Sequence, residues 1–183
     1  MRRGKALGAW LIAVGFCVSP VCGEEALSEY QVKAAFLYKF ATYVRWPART
    51  GAEATPFVIG VIGRDPFGRD LDAVMKGQNI RGRAIVVKRV TQPEEALRCD
   101  ILFIGSSERE RLRALLTSLR DAPVLTVGDM DRFAELGGMI NLTTTEDNHI
   151  RFDINKGAID RAGLKVASSL LGLARIVQGE VTR

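Results

Sequence analysis

The sequence predicts an α/β fold: a single three-layer domain with a mostly parallel sheet, helices on both faces and an antiparallel hairpin toward the C-terminus. Three observations carry this. Short apolar runs recur at 57–62 and 101–104, with a strand-like run at 123–127, as strands buried on both faces require. Segments with helical spacing separate them, and that alternation favours parallel pairing through crossovers. After Leu136 the pattern changes to two strand-like runs with a turn-forming stretch between them, which marks a hairpin.

The elements follow in order. Residues 1–23 read as a secretory signal: Arg2, Arg3 and Lys5 form a positive start, Ala6 to Phe16 an apolar run, and Val21-Cys22-Gly23 a small-residue cut site. A retained anchor and a lipid-modified Cys22 are the competing readings. The run is short of the roughly 20 residues a membrane span needs, and Pro20-Val21 is a poor approach to a lipidation cysteine. Residues 24–183, with no linker, repeat or low-complexity tract, then form one domain. Ser28 caps a helix that runs to Arg45 and ends at Trp46-Pro47. Its apolar stripe is Val32, Phe36, Leu37, Phe40, Tyr43 and Val44. A strand at Phe57–Ile62, a helix near Phe67–Lys76, a strand at Ala84–Val90, and a helical turn at Pro93–Leu97 with Pro at its start come next. Ile101–Ile104 is a strand, Glu108–Arg120 a helix, Pro123–Val127 a strand and Met130–Leu136 a short helix. The hairpin pairs Met139–Thr143 with His149–Ile154. Lys156–Val177 has helical spacing and reads as one long final helix, whose Gly163, Ala167 and Gly172 permit close backbone contact.

Charge narrows the function classes. The whole chain carries 26 Lys and Arg against 21 Asp and Glu. The signal takes three basic residues and no acidic ones with it, leaving 23 against 21. That is no surplus for a nucleic-acid partner. Cys17 and Cys22 leave with the signal, so Cys99 has no internal disulfide partner. It heads an apolar run, which suits burial as a small hydrophobe; an intermolecular disulfide is the alternative.

Catalytic and metal chemistry find little support. Gly63-Arg64-Asp65-Pro66-Phe67-Gly68-Arg69-Asp70 follows a strand and precedes a helix, as a phosphate-cradling loop does. Arg69 and Asp70 stand where the motif needs Lys and Ser or Thr, so a nucleotide hydrolase is rejected. One histidine, His149, and one remaining cysteine cannot build a zinc site, and no nucleophile-elbow motif supports a Ser-His-Asp triad. Asp129, Asp131 and Glu135 would need further converging oxygens to hold a hard metal. The expectation is therefore no enzyme, no metal and no cofactor.

Two candidate sites remain. A parallel sheet gathers the loops after its strands on one edge, where α/β folds bind ligands. Gly63, Arg64 and Asp65, then Gly105, Ser106 and Ser107, and finally Asp129 occupy those loops. They are candidate ligands for a small anion, with helix capping the competing explanation. Tyr38 lies on the polar side of the first helix and Trp46 at its exit. Both are candidate partner-binding aromatics, and folding back onto the domain competes.

The ordered set Tyr30–Phe40, Trp46-Pro47, Ile59–Gly63, Leu102–Gly105, Leu125–Asp129, Gly137–Ile140, Arg151–Asn155, Ala162-Gly163-Leu164 and Leu170-Leu171 resembles the YfiR/HmsC-like family. The resemblance spans nearly all of 28–177. It implies an α/β fold, a periplasmic location, dimers and repression of an inner-membrane diguanylate cyclase of the YfiN type through its periplasmic sensor region. Cyclic di-GMP and biofilm formation would fall. Some relatives use paired cysteines as a redox device; Cys99 stands alone, which departs from that pattern. A small-molecule (anion) receptor that represses no cyclase, and a periplasmic enzyme using Asp129 or Ser106, are the competing classes.

Overall fold

A computed structural model describes residues 27–48 and 54–179. The expected signal at 1–23 lies outside these residues. The chain runs α1 (Glu29–Tyr43), β1 (Val44–Arg45), β2 (Phe57–Ile62), α2 (Asp70–Met75), β3 (Asn79–Ile80), β4 (Arg83–Val90), α3 (Pro93–Ala96), β5 (Ile101–Ile104), α4 (Leu112–Ser118), β6 (Leu125–Gly128), β7 (Ile140–Thr144), β8 (Ile150–Asn155), α5 (Lys156–Arg161), β9 (Lys165–Val166), α6 (Ser168–Leu171) and β10 (Arg175–Val177).

Eight strands form one sheet in the order β10-β8-β7-β6-β5-β2-β4-β3. β4, β2, β5, β6 and β7 are mutually parallel. β8 returns antiparallel as the hairpin, and β3 closes the other edge antiparallel to β4. The expected mostly parallel sheet with a C-terminal hairpin is present. From β2 the chain goes first to β4 on one side and then to β5 on the other, so strand order reverses beside β2. In such sheets that reversal opens a crevice outside the strand C-termini.

Apolar runs become strands because each face of the sheet has its own core. Phe57, Ile59 and Val61 of β2, Ile101 and Phe103 of β5, and Leu125 and Val127 of β6 pack under α1, α2, α5 and α6. Val58, Ile62, Leu102 and Ile104 point the other way, toward α3 and α4. The side-chain period of two therefore persists inside runs that look uniformly apolar. Rings knit the first core: Phe40 and Phe152 meet at 5.4 Å between centroids, and Phe67 and Phe103 at 4.7 Å. Such pairs add about 0.5–1.5 kcal/mol beyond area burial.

The N-terminal edge of the sheet is tied by one carboxylate. Asp100 is buried. Its Oδ2 accepts from the Val58 N–H at 2.8 Å, and Arg83 donates to both its oxygens at 3.0 and 2.8 Å. Its backbone carbonyl accepts from the Trp46 indole N–H at 3.1 Å. Arg83 also donates to the carbonyls of Thr55 and Pro56. The exit of α1 and the starts of β2, β4 and β5 thus meet at Asp100.

Several sequence expectations shift. The long final helix is absent: α5 ends at Arg161, with Gly163 left-handed at φ +72°. Leu164 N–H donates to Ile159 O at 3.1 Å and Gly163 N–H to Asp160 O at 3.0 Å. That is a Schellman stop, with Gly at C′ and an apolar residue after it. The chain then extends as β9 and pairs with β1, Val44 opposite Val166. It turns once more through α6 and lays β10 parallel to β8. The segment 130–136 forms turns instead of a helix, because Arg132 is left-handed at φ +58°. The buried face of α1 is rotated from the predicted stripe: Lys33, Ala34, Leu37, Phe40 and Ala41 are buried, while Tyr43 is 41% exposed. The predicted helix at 108–120 begins as a 3-10 turn at Ser106–Glu108 and becomes α4 only at Leu112.

Cys99 is buried beneath α3, with Sγ 3.7 Å from Glu95 O. Burial pushes its thiol up to about 11, so it is a poor nucleophile. The sulfur occupies the space a side chain at Gly60 would need: a Cβ there would lie 2.5 Å from Sγ. Gly60→Ala should therefore destabilise the protein by about 1–3 kcal/mol in urea unfolding. Adding Cys99→Ala should recover most of that loss. Additive effects of the two changes would contradict this contact.

Candidate functional site

The candidate site is a cleft of about 610 Å³ at the C-terminal edge of β6 and β7. Its walls come from the first turns of α1, the loop after β6, the β7–β8 hairpin and the start of β10. That volume is in the range of small-ligand sites.

Its centre is Lys33, the second-turn residue of α1, only 3% exposed. Helical spacing from Leu37 and Phe40 turns it inward, and the end of β6 delivers Asp129 to meet it. Lys33 Nζ lies 2.9 Å from Asp129 Oδ2 and 2.6 Å from Glu29 Oε1. The Tyr30 hydroxyl donates to the same Asp129 oxygen at 3.1 Å, and Thr144 donates to Glu29 at 2.7 Å. The Lys33 ammonium also sits 4.7 Å from the Tyr30 ring centroid, a cation–π contact.

The electrostatics follow. Burial opposes the Lys33 charge, but its hydrogen bonds to Asp129 and Glu29 outweigh that and hold its pKa above the usual 10.5. The Lys33 hydrogen bond, joined by that of Thr144, holds Glu29 below its usual 4.5. Burial, reinforced by the Asp129 charge, pushes the Tyr30 phenol up.

The far wall is also charge-paired. Arg175 of β10 donates to both oxygens of Asp153 at 2.7 Å, a fork that raises its pKa. Arg132 pairs with Glu135 at 2.6 Å. With its amide nitrogen turned toward them, Asn141 donates to the carbonyls of Gly128 and Met130 at 3.2 and 3.0 Å. Among the described residues the lining holds five carboxylates against three cations, so these groups favour positive charge in the cleft.

The sequence-predicted residues divide. Asp129 and Ser106 line the cleft. The others close on one another. Arg64 N–H donates to Ser107 Oγ at 2.8 Å, and Gly105 N–H to Ile62 O at 2.9 Å. A Cβ at Gly63 would meet Ser107 Oγ at 2.5 Å, and one at Gly105 would meet Arg64 O at 2.5 Å. Asp65 accepts from the N–H groups of Phe67 and Gly68 and pairs with Arg89 at 2.9 Å. Turn formation and loop packing therefore occupy Gly63, Asp65, Gly105 and Ser107, while the Arg64 side chain is exposed. Of the partner candidates, Tyr38 is half-buried against the core. Trp46 folds back: its indole is edge-on to Phe57 at 5.1 Å and bonded to Asp100 O.

Glu29, Tyr30, Lys33, Asn141, Asp153 and Arg175 were missed from sequence. One signal existed: Lys33 interrupts the apolar stripe four residues before Leu37 and four after Glu29. Arg175 had none, because β10 was hidden in an assumed helix. Among the described residues no cluster of three or more His, Cys, Asp or Glu could hold a metal, and no helix is long and apolar enough to cross a membrane.

Removing one partner of a buried ion pair strands the other. Lys33→Met should cost about 3–5 kcal/mol, and Lys33→Met with Asp129→Leu should recover much of it. Glu29 lies below 4.5 when folded, so its contribution is complete above that pH and is lost as pH falls through the folded value. Lys33 lies above 10.5 when folded, so its contribution is complete below that pH and is lost as pH rises through the folded value. Unfolding free energy against pH should show both falls, and Lys33→Met should flatten both. A variant curve parallel to wild type would contradict the coupling.

The YfiR/HmsC-like family model matches residues 30–175. A conserved domain protein from Vibrio cholerae shares the fold, with a TM-score of 0.56 and 12% identity over 82% of this chain and 60% of that one. The ABC domain from Streptococcus pneumoniae, solved in complex with L-Trp, aligns with a TM-score of 0.49 and 10% identity over 66% of this chain and 56% of that one. The chain thus spans less than two thirds of either protein.

Proposed function

Because the chain belongs to the YfiR/HmsC-like family, a family of periplasmic regulators of diguanylate cyclases, we propose that it is a periplasmic repressor. It binds the periplasmic sensor region of a YfiN-type inner-membrane cyclase and holds the cytoplasmic domain inactive, lowering cyclic di-GMP and biofilm formation. The family match carries this reading. Residues 1–23 direct export, residues 24–183 act as a single domain, and the working form is a homodimer.

Repression across a membrane is a coupling of equilibria. A protein that never crosses the bilayer can silence the cyclase only by binding its inactive state more tightly than its active one. Moving a population from 1:99 to 99:1 takes a preference of about 10⁴-fold, which calls for anchoring side chains. Tyr38 of α1 and Trp46, just beyond β1, are the proposed anchors. They differ in cost. Trp46 also holds Asp100, so its removal disturbs the fold, whereas the Tyr38 hydroxyl has no such bond among the described residues.

Calorimetry of the purified protein with the periplasmic segment of a candidate cyclase should give saturable binding. Tyr38→Ala should weaken it about tenfold or more while the variant stays folded, with a modestly lower melting temperature because this ring packs against the core. Unchanged affinity would remove Tyr38 from the interface, and absence of binding with a folded partner would oppose repression by contact.

A ligand-receptor reading has one observation in its favour, the cleft of about 610 Å³. Its paired cations and excess of carboxylates suit a ligand bearing an ammonium group better than the anion first expected at this edge. A saturable thermal shift with small amines, abolished by Asp129→Asn, would support that reading.

A further inference from the structure

We propose that a second, smaller pocket, at the N-terminal edge of β6 and β7, binds a small oxyanion of the inorganic phosphate or sulfate class. The pocket encloses about 90 Å³. It is lined by Arg113 and Arg120 from α4 and its exit, Arg161 from the end of α5, and Thr126 of β6. Leu119 and Met139 supply apolar wall. Among the described residues no Asp or Glu lines it.

What sets this pocket apart is that several arginines converge on one small volume. Arg83, Arg89, Arg132 and Arg175 each hold a carboxylate. Among the described residues neither Arg120 nor Arg161 has an ion-pair partner. Guanidiniums gathered around one pocket repel, and a bound anion relieves that repulsion. Guanidinium forks match the oxygens of a tetrahedral oxyanion. Thr126 adds a buried donor. It is 1% exposed, its Oγ1 accepts from the Met139 N–H at 3.1 Å, and its own proton has no acceptor among the described residues. The pocket is small, about 90 Å³, which suits a compact ligand such as phosphate or sulfate.

The test uses purified protein and inorganic phosphate at constant ionic strength, followed by calorimetry and by amide chemical shifts. Binding should saturate at one phosphate per chain, with shifts centred on Thr126, Arg120 and Arg161. Sulfate should compete, and singly charged acetate should bind at least about tenfold more weakly. Arg120→Gln with Arg161→Gln changes two exposed side chains, so the variant should melt no lower than wild type without phosphate. It should lose affinity by about tenfold to a hundredfold. Absence of saturation, equal affinity in the double variant, or shifts centred on Lys33 and Asp129 would overturn the proposal. No cyclase enters the measurement, so its outcome is independent of the repressor reading.

Discussion

A buried ammonium has to find its counter-charge, and in this fold that demand is met by Lys33 against Asp129. Lys33 sits on the inward face of α1 because helical spacing puts it there with Ala34, Leu37 and Phe40. Taking that charge out of water is costly unless it is paired and hydrogen-bonded. Asp129, Glu29 and the Tyr30 ring together meet the requirement. The pair also fixes the seat of α1 on the sheet. A helix shifted by one turn, about 5.4 Å, would leave both charges stranded.

The other end of α1 is held by different chemistry. Trp46 reaches the carbonyl of Asp100, whose carboxylate gathers Arg83 and the start of β2. α1 is therefore fastened at both edges of the sheet while its apolar side covers one face. Because the two fastenings draw on β2, β4, β5 and β6, the helix reports on most of the parallel sheet. A partner that pushed on Tyr38 or Trp46 would act on an element tied to both edges.

Much of the architecture was legible in the sequence, for definite reasons. Ile101–Ile104 and Phe57–Ile62 are apolar on both sides because both faces of the sheet are covered, and runs of that kind have few alternatives. Ser28 announces α1 and caps it, accepting from Gln31 N–H at 3.2 Å. The C-terminal third was harder. Helical spacing over 156–177 is real, but Gly163 followed by Leu164 is a stop signal, and the reward for stopping is distant pairing with β1 and β8. Spacing alone carries no trace of such partners. The site was half legible for the same reason. Loops after parallel strands can be placed on one edge from sequence, and Asp129 and Ser106 do line the cleft. Which loops close on themselves, as Arg64 and Ser107 do, depends on contacts across more than forty positions.

We propose that this protein silences a membrane cyclase by contact, a reading its family membership supports. Its most direct test is turnover. A candidate full-length cyclase in lipid nanodiscs would convert GTP to cyclic di-GMP with increasing amounts of the purified protein. The account predicts a saturable fall in rate of about tenfold or more. Undiminished turnover at saturating protein, with the cyclase folded and active, would contradict it.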